Sequence, residues 1–368
     1  MRPKPANRVV AIEEAFVHPS IWRCFPQDLQ RRYAPVLARL SDVGPRRIAR
    51  MDAVGVDMQV LSHVQPGVQI IGDDQVDTAI AASREANDWL GEVVETYPRR
   101  FAGFAALPTQ SPQDAARELE RTVKTFGFKG ALINGHTNGR YLDDPSFEPL
   151  LAKAEALKVP IYIHPTDPPK AVGDVYYQPY ADTLSPAWGW SVETGTHLLR
   201  MMCGGVFDRH PDLKIIVGHM GELLPYCYTR LNIGLTMGGW IVGKGQAQAP
   251  RMTSTFSDYM RRNVYVTSSG VFDQPVFACA VAMLGLNNLI FSIDSPMRDD
   301  VEAMEFLSNC GLSAADKERF AHETAARLLG LPPYGRPRRR RPLGIAVKGW
   351  AARLKSRLGR MLVGALVN

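Results

Sequence analysis

The sequence has no paired-cysteine motif. Its five cysteines, Cys24, Cys203, Cys227, Cys279 and Cys310, are scattered without CxxC spacing. That excludes a zinc knuckle and a disulfide framework, and leads us to expect a reducing, cytoplasmic setting. The N-terminus lacks the apolar core of a leader peptide, and no stretch reaches eighteen consecutive apolar residues. Neither secretion nor membrane spanning is therefore expected. No GxGxxG follows the first apolar run, which leaves a doubly wound dinucleotide fold unsupported. Acidic residues are missing from one region only: residues 331–368 hold ten Lys/Arg and no Asp/Glu. Of 43 basic and 37 acidic residues, the remainder keeps 33 against 37, a net charge of −4. The basic excess thus belongs to a tail, and nucleic-acid binding by the body is not expected.

What is present is an ordinary globular composition, 45% hydrophobic and 22% charged, over 368 residues. That is enough for one large α/β domain. Apolar runs at 8–14, 57–62, 102–107, 129–133, 159–163, 213–217, 264–267 and 289–293 read as strands. Helical periodicity falls between them: 45–55, 74–97, 111–126 with Ser111 as cap and Pro112 at its first position, 144–157, 192–208, 222–235, 275–284 and 313–329. Strict βα alternation implies a parallel sheet, and eight units imply closure into a (β/α)8 TIM barrel over residues 1–335. Two segments stand out: a long Pro- and Tyr-rich loop at 166–186, expected as a lid or interface element, and a Gly-rich excursion at 237–248.

The segment KIIVGHMGE, residues 214–222, concentrates the chemistry. A buried apolar run meets Gly218, so His219 and Glu222 should lie where a strand ends, the face on which parallel α/β proteins build sites. Other strands end alike: the first in Glu13 and Glu14, the fifth in His164, the eighth in Asp294. Each has a structural alternative, since His219 can cap a core strand and His164 can satisfy a loop. Four strand ends converging on one face instead favour ligands for a divalent cation. Alternation places Glu13 and Ala15 on one face and Glu14 on the other; with Asp294 pointing inward, we take Glu13 as the ligand and Glu14 as a buried supporting carboxylate.

These residues sit in recognisable motifs: IEEAF (12–16), LSHVQPGVQ (61–69), FAGFAALPTQ (101–110), GALING (130–135), YLDDPSFEPLL (141–151), PIYIHP (160–165), FDRHPDLKIIVGHMGELLP (207–225) and FSIDSP (291–296). Over roughly residues 8–330 the chain resembles the amidohydrolase-2 branch of the metal-dependent amidohydrolases. It resembles in particular the non-oxidative 2,3-dihydroxybenzoate, γ-resorcylate and salicylate decarboxylases. The resemblance implies Glu13, His164 and Asp294 as ligands of one divalent metal, Zn or Mn with Mg as a third option. It places His219 beside the metal, as a further ligand or as an acid–base group oriented by Glu222. Arg230 matches an arginine that reaches a substrate carboxylate in a neighbouring subunit, and a homodimer or homotetramer is implied. Asn134 and His63 are candidate polar contacts to a small aromatic carboxylic acid. Many superfamily members carry H-x-H on the first strand; here the same-face pair is Glu13 and Ala15, which argues against a two-metal hydrolase. Ser295 stands where the decarboxylases often place an aromatic residue, which changes the expected pocket wall, and His136 adds polarity near the fourth strand.

Taken together, the resemblance implies protonation of a carboxyl-bearing ring carbon by Asp294, followed by release of CO2, with an ionised ortho hydroxyl supplying the electron density. A single-metal hydrolase of an ester, lactone, amide or C–C bond is the alternative, with Asp294 as the base for water. A scaffold protein on a retired enzyme fold is the third. The tail, residues 336–368, opens with RPRRRR and interleaves Trp350, Leu354, Leu358 and Met361 with Lys348, Arg353, Lys355, Arg357 and Arg360. As a basic amphipathic helix it would suit an anionic membrane surface or an acidic partner; a solvated, partly disordered extension or a docking helix at an oligomer interface is the alternative.

Overall fold

The structure, a computed structural model, describes residues 8–241 and 252–331. Eight parallel strands order these residues: β1 Val10–Phe16, β2 Met58–His63, β3 Phe101–Gly103, β4 Ala131–Asn134, β5 Ile161–His164, β6 Ile215–Val217, β7 Val264–Thr267 and β8 Leu289–Ile290. Backbone ladders join β1-β2-β3 and β4-β5-β6-β7-β8 in sequence order. The first seam, β3 to β4, is carried by Ala105: its N–H donates to Gly130 O (2.9 Å), and its carbonyl accepts from Leu132 N (3.2 Å). At the second seam, β8 to β1, side chains replace the ladder. Ser292 Oγ accepts from Ile12 N (3.0 Å) and Glu13 N (2.7 Å), and Ala15 N donates to Ser295 O (2.7 Å). A serine hydroxyl can do this because it both donates and accepts.

Alternation sorts the strand residues into two clusters. Val10, Ile12, Met58, Val60, Phe104, Leu132, Tyr162, Ile216 and Ile290 form the inner one, which Ala325 and Leu329 of the helix Thr324–Leu329 join. Ala11, Leu61, Phe101, Ile133, Ile163, Ile215 and Val217 pack in the outer cluster with the helices. Each such Ile or Phe, fully buried, contributes about 1.5–3 kcal/mol. One irregularity interrupts this order: between Ala11 and Glu14 the pairing of β1 with β2 slips by one residue. Strict alternation from Val10 and Ile12 would turn Glu14 inward. The bulge instead puts Glu13 inside.

Several expected helices begin and end where their punctuation says. Pro45–Val54 has proline at its first position and left-handed Gly55 after it, and Pro112–Phe126 ends at left-handed Gly127. Four expectations need correction. The segment 166–186 is not an irregular loop. It holds the helices Lys170–Tyr176 and Ala181–Leu184 and a π-turn, Ser185–Gly189, that feeds Trp190–Cys203. Asp167 anchors it, accepting from Ser185 Oγ (2.5 Å) and Trp190 Nε1 (2.8 Å). No helix starts at Glu222, because His219, Met220 and Glu222 all have φ near +50 to +56°; the helix is Tyr228–Ile241. That helix also runs through the start of the expected excursion at 237–248, the rest of which lies outside the described residues. Finally, the eighth strand pairs only at Leu289–Ile290, and Asp300–Asn309, capped by Asp299, is an additional helix. The basic tail lies outside the described residues. Among those described, no helix is long and apolar enough to cross a membrane.

Candidate metal and acid–base site

At the carboxyl ends of the strands Glu13, His164 and Asp294 come together, one ligand atom from each lying within 4.8 Å of the others. Each arrives by a local device. The bulge turns Glu13 inward. His164 is the last residue of β5, two residues after inward Tyr162. Asp294 follows β8 at φ +72°, a left-handed conformation that aspartate tolerates better than most non-glycine residues but still adopts at a cost.

Glu13 Oε2 is fully engaged: Tyr162 Oη donates to it, and Thr267 Oγ1 lies 3.2 Å away. Glu13 Oε1 is buried and accepts no hydrogen bond, yet His164 Nε2 lies 3.2 Å from it and His219 Nε2 3.7 Å. A buried carboxylate oxygen without a donor, faced by two imidazole nitrogens, is what a cation would satisfy. His164 is set for that role. Its Nδ1 contacts the Pro165 carbonyl at 2.9 Å, which places the proton there and leaves the Nε2 lone pair free. Backbone shape keeps the space open. A Cβ at Gly218 would lie 2.8 Å from Glu13 Oε2 and 3.0 Å from Tyr162 Oη. The donor set, two carboxylates and one imidazole with a second beside them, fits one divalent cation.

His219 is the hinge between this group and the acid–base pair. Its Nε2 lies 3.9 Å from Asp294 Oδ2, and its Nδ1 lies 3.0 Å from Glu222 Oε1, whose other oxygen accepts from Ser191 Oγ (2.7 Å). Burial works against charge on His219, but the carboxylates of Glu222 and Glu13 raise its pKa well above the usual histidine value. Burial likewise pushes Glu13 up, and the two histidines overcome it, holding Glu13 near 2. For Asp294 burial dominates, aided by the Glu13 charge, and its pKa is raised despite His219. The two carboxylates are thus shifted in opposite directions by their surroundings.

The other expected residues are placed differently. Asn134, 2% exposed, pairs across the ladder with His164, and its Oδ1 has no hydrogen-bond partner. It lines a cavity of about 410 Å³ with Tyr33, Gln69, Thr166, Trp190 and Arg32. His136 lines this cavity as well, whereas Ser295 does not; its backbone serves the β8–β1 seam. His63 is not brought to the site with a free nitrogen. Its Nε2 accepts from His18 N (3.1 Å) and its Nδ1 contacts Val64 O (2.9 Å). Arg230 is exposed on Tyr228–Ile241 and does not line the cavity. The sequence reading passed over Tyr162 and Thr267. Tyr162 carried a signal, two residues before His164 on the same face of β5.

Residues 18–331 match the family model described as Amidohydrolase. A gamma-resorcylate decarboxylase of Polaromonas sp. is 38% identical over 300 residues, 80% of this chain and 89% of that protein. Among solved structures, 5-carboxyvanillate decarboxylase from Novosphingobium aromaticivorans, complexed with manganese and 4-hydroxy-3-methoxy-5-nitrobenzoic acid, superposes with a TM-score of 0.83. It is 32% identical, over 89% of this chain and 97% of that one. A 2,6-dihydroxybenzoate decarboxylase complexed with 2,6-dihydroxybenzoate gives a TM-score of 0.78 at 35% identity, over 88% and 99% of the two chains.

Proposed function

The chain belongs to the amidohydrolase family, and on that footing we propose that it is a metal-dependent, non-oxidative decarboxylase of an ortho-hydroxy aromatic carboxylic acid. The observation that carries the reading is geometric: Asp294 stands with His164 beside an orphaned Glu13 oxygen and faces the imidazole of His219, whose other nitrogen lies 3.0 Å from Glu222. Manganese accompanies the similar 5-carboxyvanillate decarboxylase, and the donor set here suits it.

Glu13, His164 and Asp294 would hold the divalent cation, with His219 adjacent. What the cation supplies when bound is Lewis-acid stabilisation of the ionised ortho hydroxyl, which makes the carboxyl-bearing ring carbon basic. Asp294 delivers its proton to that carbon. The electron pair of the breaking C–C bond then returns to the ring, aromaticity is restored and CO2 leaves. His219, backed by Glu222, stands 3.9 Å from Asp294 and offers Nε2 for its reprotonation. Asn134 and the neighbouring cavity receive the ring, with Tyr33 and Trp190 as its aromatic walls and Gln69, Thr166 and Arg32 as polar contacts.

The reading extends to assembly. Val175, Tyr176, Tyr180 and Trp188 of the segment after β5, and Tyr226 and Ile233 flanking Arg230, are exposed large apolar side chains. Such a surface supports a homodimer or homotetramer in which Arg230 serves the neighbouring site. The five free cysteines suit the cytoplasmic placement included in this reading.

The experiment is a CO2-release assay over a panel of ortho-hydroxybenzoates with metal analysis of the same preparation. One metal per chain, CO2 released, and both lost in Glu13→Gln is the expected result. Uptake of water oxygen into product without CO2 would overturn the decarboxylase reading in favour of the hydrolase.

A further inference from the structure

Immediately after Glu13, β1 carries a second carboxylate that the mechanism does not use. Glu14 is fully buried and lies on the opposite face of the strand. Its two oxygens take four donors. Oε1 accepts from Ile293 N (3.1 Å) and Ser292 Oγ (3.2 Å). Oε2 accepts from Ser295 N (3.3 Å) and Gln59 Nε2 (3.1 Å). Gln59 is fixed in turn by buried Arg47, whose Nε donates to Gln59 Oε1 (2.7 Å) while Nη1 donates to the Ala15 carbonyl (2.8 Å).

Ile293 and Ser295 are the two neighbours of Asp294. One rigid carboxylate therefore grips the backbone on both sides of the residue that stands at φ +72°. Stability alone is a poor account of this arrangement. A buried carboxyl with a buried arginine near it is often no more stabilising than a well-packed apolar pair. The specific thing these bonds do is over-determine an unfavourable backbone conformation at a single aspartate.

We propose that Glu14, braced by Gln59 and Arg47, is a positioning residue that locks the peptide groups flanking Asp294 and so aims its carboxylate at the metal site. This rests on the reading above in which Asp294 is a metal ligand. Groups that orient ligands without touching the metal change metal affinity by about 10- to 100-fold when altered.

The test is Mn2+ binding to the full-length chain, measured as free manganese by electron paramagnetic resonance, with no turnover involved. Glu14→Gln keeps the side chain's size but turns a donor toward two of the four donors. Glu14→Asp keeps the carboxyl and shortens the reach, and serves if the first variant does not fold. Either is expected to weaken Mn2+ binding about 10- to 100-fold. The double variant with Asp294→Asn is expected to bind no more weakly than Asp294→Asn alone, since Glu14 acts through that residue. Wild-type affinity in the folded Glu14 variants, losses that multiply in the double variant, or failure of both to fold would each overturn the proposal. Wild-type affinity in Asp294→Asn itself would instead refute the site reading.

Discussion

Two regions of one barrel solve the same problem differently. Between β5, β6 and β7 the strands meet backbone to backbone, Ile161 opposite Ile215 and Ile215 opposite Val264, and their side chains are apolar and buried. Between β8 and β1 the ladder is absent, and Ser292 and Glu14 do the joining: Ser292 Oγ accepts from Ile12 N (3.0 Å) and Glu13 N (2.7 Å), and Glu14 Oε1 accepts from Ile293 N (3.1 Å). A ladder needs nothing from its side chains and can commit them all to packing. A side-chain seam frees the backbone to leave regular geometry, and here it does so at both Glu13 and Asp294. Stability should therefore concentrate in the ladder and chemistry in the seam.

The strongest way to break that contrast is at its extremes. Asp294→Asn should lower kcat/KM by about 10²- to 10⁴-fold, the usual contribution of a positioned acid, with the thermal midpoint nearly unchanged. A large drop in the midpoint would mean the seam is holding the fold. Ile216→Ala, in the inner cluster at 0% exposure, should do the reverse. Chemical denaturation should show a loss of about 2–5 kcal/mol, with kcat of the folded enzyme retained. Activity lost along with stability would erase the distinction.

Acid should separate regions more gently. Burial holds His18, His63 and His197 neutral, lowering them from 6.5 to about 3, 4 and 3. The unfolded chain binds protons that the folded one refuses, so stability is full above 6.5 and falls as pH drops from 6.5 towards 4. Each histidine contributes about 1.4 kcal/mol per pH unit in that window. Because His18 N donates to His63 Nε2, the ends of β1 and β2 should lose hydrogen-exchange protection before β5 and β6 as pH falls. Simultaneous loss would show that acid acts on the whole fold. The smallest effect should come from Ser191→Ala, which removes one donor to Glu222. A fall in kcat of about three- to tenfold is expected; a change in KM alone would place Ser191 with substrate binding instead.

Sequence and structure agree most where one residue's neighbours along the chain decide its state. Each strand was a short apolar run bounded by glycine, proline or a polar cluster, so the alternation and the strand-end positions of His164, His219 and Asp294 could be read directly. Disagreement begins where a distant residue decides. Asp167 ties the start of the Pro- and Tyr-rich segment to its end by holding Ser185 and Trp190. The nitrogens of His63 are engaged partly by His18, 45 positions away. Glu222 looked like a helix start because Gly221 punctuates before it, but the left-handed run from His219 delays the helix to Tyr228. Glu13 was chosen by alternation with Ala15, yet Val10 and Ile12 on the same reasoning select Glu14; the bulge that decides between them leaves no mark in the residues themselves.

The left-handed residues have a consequence for how such a chain can drift. His219, Met220, Glu222 and Asp294 each hold a positive φ that glycine would adopt at less cost, by about 1–3 kcal/mol for the three bulkier residues and less for the aspartate. Selection for heat resistance alone would steadily replace them. A lineage that keeps these four side chains while the rest of its surface diverges is one in which turnover, generation after generation, has outweighed endurance.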